Sequence, residues 1–432
     1  MRICHLSNFL PTYHDSWGGA EQACLRIANL LSRENETNEN FVLSLLPKRE
    51  VKENFKFFPV SVMENFLPKF LAGPISSLKS YFFPLDPLAF RFFNKFFKEN
   101  KIDILHLHKF SILSFSAISA AKKYKIPVIH SLYDYWIFCP LGFCWKIKNF
   151  YTYEGEPCKE YHGSQCLGCI EKAQKLNFFE KILLKIILPF RKKLFDKYIK
   201  KIDKFIILSE ANKKFLLNYG IPEEKIAIVP LVLPLKQKPL IDTNTVDRNA
   251  IAFIGPLHPK KGALIAINSL KYVVKNFPKV KLYMIGMIGD KKYEGFIKKQ
   301  IAKNGLERNI ILLGRISEKD KEEYLRKALI LLVPEPYEAI ASYALIEGMA
   351  AGKGIVTGNI GGAIDYIRDS ENGFLAEYNK PKSFVLPIIK FLENPELAKS
   401  MGQQAKLDVE KSNSEEKVRT LLINLYKSLC QN

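Results

Sequence analysis

Short apolar strand candidates alternate with amphipathic helix candidates along this chain, and the alternation occurs twice. The first series begins at residue 2 and includes strand candidates at 103–107, 127–131 and 205–209. The second series begins with the strand candidate at 251–255. Strands and helices that alternate in this way build a parallel sheet with helices on both faces. The sequence therefore predicts an α/β protein with two doubly wound, Rossmann-like domains that face across a cleft.

Length and local composition predict where the domains begin and end. The 432 residues exceed the length of one ordinary domain. A stretch with several prolines and few periodic residues separates the two series, and it predicts a linker at 236–249. We expect an amino-terminal domain at 1–235 and a carboxy-terminal domain at 250–410. The remaining segment, 411–432, is a helix candidate that we expect to pack back on the amino-terminal domain.

The chain is strongly basic, with 65 Lys and Arg residues against 44 Asp and Glu residues. Residues 171–204 hold eleven basic and four acidic residues among Phe, Ile and Leu pairs. We interpret this segment as basic amphipathic helices that break near Pro189. Binding to an anionic membrane surface explains the pattern, and so does an ordinary packed helix with a solvated basic face. Nucleic acid is not expected as a partner, because no recognised nucleic-acid-binding motif accompanies the charge.

The apolar runs are too short for a membrane-spanning helix, which needs roughly 18 residues. The first twenty residues turn polar within eight positions, unlike a secretory signal. We therefore expect a cytoplasmic protein with reduced thiols, attached to the inner membrane face if the basic helices bind lipid.

Five of the eight cysteines lie between residues 139 and 169, in a polar and Gly-rich stretch. This Cys-rich insertion, at about 139–170, has little hydrophobic core of its own, and its spacings suit a structural zinc ion. The candidate ligands are Cys144, Cys158, Cys166 and Cys169, with Cys139 as an alternative to Cys144. Reduced free thiols, a disulfide and an iron–sulfur cluster stay open as other interpretations.

Segment 333–362 combines a strand, an acidic loop, a helix and a Gly-rich exit. Glu338 lies in the loop, the helix is predicted to begin near Ser342, and Glu347 falls on its early turns. Exposed backbone amides at a helix amino terminus favour an anion, and a carboxylate further along can bind a ribose diol. The segment therefore suits a sugar that is joined to a nucleotide by phosphate, although two Glu residues near a helix are also common in proteins without such a site.

This segment resembles the carboxy-terminal signature of the retaining family 4 (group 1) glycosyltransferases, which have the GT-B fold. The matching residues are Pro334, Glu338, Glu347, Met349, Ala350, Gly352, Lys353, Gly361, Gly362, Asp365, Asn372 and Gly373. The resemblance assigns Glu347 to the nucleotide ribose and Glu338 to the donor sugar. The chain departs from the signature in three ways. Eight rather than seven residues separate the two Glu residues, Gly348 replaces Ala, and Asp365 replaces Glu.

Two glycine-containing loops are similar to further motifs of this family. Lys261-Gly262 matches a Lys-Gly pair that binds the donor diphosphate, while Pro256 occupies the position of a second cation, Arg. Gly18 and Gly19 match the amino-terminal glycine loop, which the resemblance places facing the donor and acceptor. Glycine at such positions lets the backbone approach a ligand closely.

Residues 129–136 are similar to the family strand that ends in His-Asp-Tyr-Trp. Tyr133 stands where the family often has His. On this resemblance we expect Asp134 and His130 to act on the acceptor side. We interpret His106 and His108 as structural residues or residues that line the site.

The resemblance implies a glycosyltransferase that moves a sugar, with retention, from a nucleoside-diphosphate sugar to the hydroxyl of a carbohydrate or lipid-linked acceptor. It makes the domain at 1–235 the acceptor side and the domain at 250–410 the nucleotide-sugar-binding side. The catalytic candidates are Glu338, Lys261, Asp134 and His130. The donor-binding candidates are Gly18, Gly19, Lys261, Glu338, Ser342 and Glu347.

Polysaccharide, lipopolysaccharide or glycolipid assembly is the expected setting of this reaction. No cofactor is expected for catalysis, in agreement with the absence of an Asp-x-Asp triplet from the sequence. Other GT-B activities, such as a sugar-nucleotide epimerase or a phosphorylase, remain alternatives. So does an inactive GT-B protein that binds anionic membranes or nucleic acid.

Overall fold

The computed structural model describes residues 1–15, 18–33, 39–49, 51–68, 72, 75–76, 79, 81, 84–233, 246–340 and 342–431. The chain divides into two compact units. Unit 1 consists of residues 1–144, 158–232 and 415–432, and unit 2 consists of residues 145–157 and 233–414. The linker predicted at 236–249 lies mostly outside the described residues.

Unit 1 is built on a parallel sheet. Its strands are β1 (Arg2–Leu6), β2 (Glu39–Leu45), β3 (Lys56–Val60), β4 (Ile104–Leu107), β5 (Val128–Ser131), β8 (Lys204–Ile207) and β9 (Ile226–Ile228). They follow the order β3-β2-β1-β4-β5-β8-β9, and every pair is parallel. β4 and β5 are buried along their whole length. Central strands of a parallel sheet are covered on both faces, so they accept an almost continuous apolar sequence.

Helices follow most of these strands. They are α1 (Gly19–Ser32), α2 (Pro87–Asn100), α3 (Ser116–Lys123), α4 (Cys166–Ala173), α5 (Phe178–Ile199) and α6 (Glu210–Tyr219). The amphipathic spacing in α1 buries Ala23, Cys24, Ile27 and Leu31 on one side. This packing joins the helix to the apolar core of the unit.

Unit 2 contains a second parallel sheet. Its strands are β10 (Asp247–Ile254), β11 (Lys281–Ile285), β12 (Ile310–Gly314), β13 (Ala328–Val333), β14 (Gly354–Gly358) and β15 (Phe374–Ala376), in the order β12-β11-β10-β13-β14-β15. Its helices are α7 (Ala263–Val273), α8 (Lys291–Lys303), α9 (Glu318–Lys327), α10 (Tyr343–Ala350), α11 (Ala363–Tyr366), α12 (Val385–Glu393) and α13 (Pro395–Asn413). The two doubly wound sheets confirm the predicted fold class.

The last helix, α14 (Glu415–Cys430), belongs to unit 1. Val418, Leu422 and Tyr426 pack into the core of that unit with residues of the sheet. The Tyr426 hydroxyl also contacts His106 Nδ1 at 2.8 Å. The chain therefore enters unit 2 twice, at residues 145–157 and 233–414, and returns to unit 1 for its final helix.

The predicted helix break at Pro189 is wrong. α5 runs without interruption through Pro189, and the helical segments separate earlier, at residues 174–177. A proline inside a helix costs about 3 kcal/mol, because it removes a backbone hydrogen bond and crowds the preceding turn. Burial of the helix face that contains Leu184, Leu188 and Phe195 offsets this cost.

Unit 2 buries a lysine with an altered ionisation. Lys353 is 6% exposed, and its Nζ donates a hydrogen bond to the carbonyl of Arg326 at 2.6 Å. Burial removes water from the ammonium group, and the charge of Arg326 repels it, so the pKa of Lys353 falls to about 8. In the unfolded chain the pKa of this lysine has its ordinary value of about 10.5. Between these values the unfolded chain binds more protons, so the stability that this residue contributes rises with pH.

We predict that Lys353→Met reveals this titration. As pH increases from 8 to 10.5, the unfolding free energy of the wild type should rise relative to that of the variant by up to about 3 kcal/mol. The difference between the two melting temperatures should rise with it. Thermal unfolding followed by circular dichroism at several pH values measures the difference. The exposed Lys319, changed to Met, is the control, and its difference should stay flat. A flat difference for Lys353→Met as well contradicts the prediction.

Candidate active site

Two loops of unit 2 meet at the carboxyl ends of β10 and β13. β13 and β11 flank β10 on its two sides, so the direction of strand succession reverses here. Doubly wound sheets bind ligands at this switch point. Gly262 ends the loop that follows β10, with φ at 75°, and an added Cβ would lie 1.8 Å from the Pro334 carbonyl oxygen. Only glycine allows this approach, which brings the two loops into contact.

An ion pair joins the two loops. Lys261, just before Gly262, pairs with Glu335, and their side chains are 21% and 10% exposed. Glu335 lines a small pocket together with Ser342, Thr357 and Gly358. Ser342 is the residue before α10, so the amino terminus of that helix opens towards the pocket. The lining thus includes a carboxylate and the residue before a helix, and a lysine pairs with that carboxylate, which is a suitable environment for a phosphate group.

Glu347 lies inside α10 and is 6% exposed. Its Oε2 accepts a hydrogen bond from Lys321 Nζ at 3.0 Å, and Lys321 also pairs with Glu318 at 2.7 Å. Burial works against the charged form of Lys321, but the two carboxylates outweigh it and raise the pKa of the lysine. Lys321 therefore stays a cation and holds the Glu347 carboxylate in a fixed orientation.

The sequence prediction named Glu338, whereas the carboxylate that pairs with Lys261 is Glu335. Glu338 lies in the same loop and is partly buried, which raises the pKa of its carboxyl group. The loop therefore offers two carboxylates with different environments: one paired with a cation and one partly desolvated.

A hairpin from the Cys-rich segment packs beside these loops. It consists of β6 (Trp145–Asn149) and β7 (Glu154–Pro157), and it belongs to unit 2. The ring of Tyr153 contacts that of Tyr337 at 5.8 Å, and the ring of Phe150 contacts that of His258 at 5.4 Å. Tyr337 precedes Glu338, and His258 lies in the loop of Lys261. The hairpin therefore supports both loops of the pocket, which the sequence analysis did not anticipate.

Unit 1 has its own charged cluster at the carboxyl ends of β1, β4 and β5. Lys109 pairs with Asp134, whose Oδ1 also accepts the backbone N–H of Trp136 at 2.9 Å. Gly18 precedes α1, and its N–H donates to the Glu21 carboxylate at 2.9 Å. Burial raises the pKa of Glu21, while the charge of Lys109 opposes this effect. The structure thus brings the predicted Gly18 and Asp134 into one electrostatic cluster.

His130 lies on β5 and is 4% exposed. Its Nδ1 contacts the Leu107 carbonyl at 3.2 Å, and the rings of Phe110 and Phe205 lie against it. Burial disfavours the imidazolium and lowers the pKa of His130 to about 4. The imidazole is therefore neutral at pH 7, and its acceptor-side role stays a prediction.

Three other histidines of unit 1 form a buried network. His5 Nδ1 and His108 Nε2 lie 3.2 Å apart, and His108 Nδ1 lies 3.4 Å from the Tyr133 hydroxyl. His106 contacts Ser131 Oγ at 2.7 Å as well as Tyr426. Hydrogen bonding of this kind agrees with the structural interpretation of His106 and His108.

The five clustered cysteines lie in unit 1 around a short loop. Backbone amides of Leu141, Phe143 and Cys144 donate to the Cys139 thiol, and its pKa falls to about 6 through these contacts and the thiol of Cys144. The Cys158 N–H donates to the Cys144 carbonyl at 2.8 Å, directly beside the base of the hairpin. Amides directed at sulfur favour a thiolate, the form that binds a metal.

A buried cation faces the same cysteines. Arg191 is fully buried and donates to the carbonyls of Tyr81 and Trp136 at 2.9 and 2.7 Å. No carboxylate of the described residues forms an ion pair with it, and the thiols of Cys139 and Cys166 are among its electrostatic partners. Burial raises the pKa of Cys144, Cys158 and Cys166, whereas that of Cys139 is lowered, so the Cys139 thiolate is the anion that best suits this guanidinium.

The sulfur atoms of the clustered cysteines do not form a group whose members all lie close enough together to bind one metal ion. Across the described part of the chain, the one group of three or more His, Cys or acidic residues with ligand atoms all within 4.8 Å of one another is His5, His106 and His108. Binding of one zinc ion by Cys144, Cys158, Cys166 and Cys169 would therefore need movement of their side chains, and this ligand set stays a prediction.

Two family models match the chain. One described as Glycosyltransferase Family 4 matches residues 17–236, and one described as Glycosyl transferases group 1 matches residues 239–408. The chain belongs to the family 4, group 1 glycosyltransferases. This membership confirms the resemblance that the sequence motifs indicated.

The chain is also similar to curated proteins that are named as glycosyltransferases. The chain is 34% identical over 163 residues to an uncharacterized glycosyltransferase of Methanocaldococcus jannaschii, a match that covers 38% of this chain and 44% of the relative. It is 27% identical over 242 residues to the poly(ribitol-phosphate) alpha-N-acetylglucosaminyltransferase of Staphylococcus aureus, covering 54% and 46%. The chain spans about half the length of the curated relatives it matches.

Solved structures establish the fold. The chain is similar to Anabaena HepE in complex with UDP and glucose, with a TM-score of 0.68, 15% identity, and coverage of 99% of this chain and 100% of HepE. This likeness supports the two-domain, Rossmann-like GT-B fold. Among the described helices, none is both long enough and apolar enough to cross a membrane.

Sequence reasoning named some of the residues in and beside this pocket and did not name others. It named Lys261, Ser342 and Glu347 because they belong to short motifs, and their roles stay predictions. Glu335 and Lys321 were missed, because their partners lie 74 and 26 positions away. The position of Glu335 directly after Pro334, in the same acidic loop as Glu338, was the one signal in the sequence that could have indicated it.

We predict that purified protein contains about one zinc ion per chain if the cysteine ligand set is correct. Replacement of Cys166 and Cys169 by Ser should remove the metal and lower the melting temperature, because the short insertion loses its support. Elemental analysis by mass spectrometry measures the zinc. Cys430→Ser, at an exposed cysteine outside the cluster, is the control.

Metal-free wild-type protein with an unchanged melting temperature would rule out the zinc site. Zinc that persists in the double variant would place it elsewhere, with the three buried histidines as the next group to test.

Proposed function

We propose that this protein transfers a sugar, with retention of the anomeric configuration, from a nucleoside-diphosphate sugar to a hydroxyl acceptor. The observation that carries the proposal is the pairing of Lys261 with Glu335 beside the amino terminus of α10. A cation and the amino terminus of a helix are groups that favour binding of a diphosphate. Family membership supports sugar transfer as the class of reaction.

The donor diphosphate would replace Glu335 as the partner of Lys261. In the free protein, Glu335 neutralises Lys261 and keeps its side chain at the pocket. We propose that Lys261 exchanges this carboxylate for the diphosphate when the donor binds. The amides near Ser342 would provide the second contact. Together these groups would stabilise the charge that develops on the leaving phosphate as the glycosidic bond breaks.

The nucleoside and the sugar would be held by separate carboxylates. Glu347 is already oriented by Lys321, and an oriented carboxylate can accept both hydrogen bonds of a ribose diol without further loss of side-chain entropy. Glu338 would bind the hydroxyl groups of the donor sugar. Partial burial raises the pKa of its carboxyl group, and as a carboxylate it would accept hydrogen bonds from those hydroxyls.

The acceptor would be held by unit 1. Asp134 is one of two carboxylates in its cluster, with Lys109 as its partner, and the loop of Gly18 and Gly19 belongs to the same edge of the sheet. The acceptor hydroxyl would attack the anomeric carbon on the face from which the diphosphate departs. Positioning of the two reactants would provide most of the rate enhancement. His130, as a neutral buried residue, would pack beneath the acceptor-side residues at this edge of the sheet.

We propose a carbohydrate or lipid-linked acceptor in the assembly of a polysaccharide, lipopolysaccharide or glycolipid. The Staphylococcus aureus relative is a poly(ribitol-phosphate) alpha-N-acetylglucosaminyltransferase, which supports a polymer acceptor. The UDP and glucose bound by Anabaena HepE support a nucleoside-diphosphate sugar as the donor.

We predict that one nucleotide class stabilises the protein in a thermal-shift panel of UDP-, GDP-, ADP- and dTDP-sugars. A ligand at 100 times its Kd adds about 2.7 kcal/mol to the unfolding free energy. Lys261→Met should weaken this binding by about 10- to 100-fold, because the diphosphate loses a charge-assisted contact. Lys260→Met, one position away, is the matched control and should change the affinity little.

The same panel distinguishes the alternatives. No shift with any nucleotide sugar would contradict the proposal and favour a GT-B protein that only binds membranes or nucleic acid. Release of a sugar nucleotide with an inverted sugar centre would indicate an epimerase instead. Nuclear magnetic resonance of the transfer product checks retention, because the anomeric coupling reports the configuration of the new bond.

A further inference from the structure

Helix α5 is apolar on two opposite faces. One face is buried in unit 1. The other face exposes six large apolar side chains, each between 40% and 80% exposed. We call these six residues the apolar stripe: Phe178, Phe179, Ile182, Leu183, Ile186 and Phe190. Helices that are apolar on both faces are normally covered on both faces, so the stripe requires an apolar environment outside unit 1.

The stripe is continuous. Successive residues of a helix turn by about 100°, which places all six side chains within an arc of about 140°. The residues run from 178 to 190, about 18 Å along the helix at 1.5 Å per residue. The buried residues Leu184, Ile187 and Leu188 occupy the opposite side. The six exposed side chains therefore form one continuous apolar surface along the helix.

The stripe is unusual on this protein. Sixteen large apolar residues of the described chain are exposed, and six of them belong to α5. The others are scattered, as single exposed apolar residues are on most soluble proteins. Contiguous exposed apolar surface of this kind marks a site of interaction with a protein or a membrane.

Lysines border one edge and the carboxyl end of the stripe. Lys181 and Lys185 lie along one edge, at helical angles just beside Phe178. Lys192, Lys193 and Lys197 continue the exposed side towards the carboxyl end of the helix. All five are exposed, and two of them form ion pairs, Lys181 with Glu171 and Lys192 with Asp196. Apolar and aromatic side chains bordered by lysines are the composition of helices that lie in the plane of a membrane interface.

Charge decides between the two apolar partners that fit such a surface. A second copy of this chain would bring a second set of lysines against the first, and like charges oppose that contact. An anionic bilayer offers both an apolar layer for the stripe and negative headgroups for the lysines. The net charge of +21 acts in the same direction.

We propose that the apolar stripe of α5 binds the surface of an anionic lipid bilayer, with the helix lying parallel to the membrane plane. Phe and Ile side chains enter the boundary between headgroups and acyl chains, and the lysines reach the headgroups. This inference goes beyond the proposed sugar transfer and does not depend on it, because lipid binding is measured without donor or acceptor.

Vesicle flotation with the full chain tests the proposal. We expect the protein to float with vesicles that contain 30% phosphatidylglycerol in phosphatidylcholine. The floated fraction should fall at least several-fold with pure phosphatidylcholine, or when salt rises from 50 to 500 mM, because salt screens the lysines. Failure of the wild-type protein to float with the anionic vesicles at 50 mM salt overturns the proposal.

A triple variant with Phe179, Ile186 and Phe190 changed to Ser tests the stripe itself. We expect at least a tenfold loss of vesicle affinity. These side chains are exposed, so the melting temperature should stay within a few degrees of the wild type. If the variant floats as well as the wild type, the stripe is not the binding surface and the proposal is wrong.

The matched control removes the same number of exposed apolar side chains elsewhere. It changes Phe66, Leu386 and Leu407 to Ser, residues that are 72%, 60% and 51% exposed. This control should float like the wild type. An equal loss in the control would show that general surface hydrophobicity, instead of α5, drives binding, and would overturn the assignment.

Analytical ultracentrifugation tests the competing partner. We expect a sedimentation coefficient that does not depend on the stripe. A concentration-dependent dimer that disappears in the triple variant, together with weak flotation, would identify a second copy of the chain as the partner and overturn the membrane assignment. Nucleotide-sugar thermal shifts, measured on the same samples, separate this outcome from failure of the proposed sugar transfer.

Discussion

The contact between Gly262 and the Pro334 carbonyl is the constraint on which the candidate site depends. A Cβ at position 262 would lie 1.8 Å from that oxygen, so no other residue lets the two loops approach. Gly286 makes a similar approach to the carbonyl of Gly255, at the other end of the same loop. The loop after β10 is therefore fixed from both ends by backbone packing. A lysine on such a loop has little freedom, and Lys261 is held opposite Glu335 before any ligand arrives.

Three lysine–carboxylate pairs occupy the carboxyl ends of the strands or the helices beside them. Lys261 with Glu335 and Lys321 with Glu347 lie in unit 2, and Lys109 with Asp134 lies in unit 1. Burying such pairs costs desolvation and adds little net stability. Their common effect is to hold charged groups in one orientation. An anionic or hydroxyl-rich ligand can then replace one partner of a pair without a large rearrangement, which agrees with a protein that binds a charged sugar donor.

The sequence was sufficient for the regular elements and for residues in short motifs, and insufficient for contacts between distant segments. Alternation of strands and helices predicted both sheets because buried parallel strands are continuously apolar. Glu347 and Lys261 could be named as candidates because helix starts and Gly-rich loops have local signatures. Glu335 was missed because its role depends on a partner from another strand. Local preference was also misleading at Pro189, where the packing of α5 against unit 1 outweighs the cost of the proline.

The hairpin of residues 145–157 has a consequence for how the chain is made. It is synthesised as part of the unit 1 sequence, yet Tyr153 packs against Tyr337, a residue 184 positions later. At roughly 5–20 residues per second, the ribosome needs about 10–40 s to supply that partner. During this interval Trp145, Ile147 and Tyr153 have no apolar surface of unit 2 to cover them. Nascent chains of this protein thus carry an exposed aromatic hairpin that a chaperone can recognise, and a truncated unit 1 would retain it permanently.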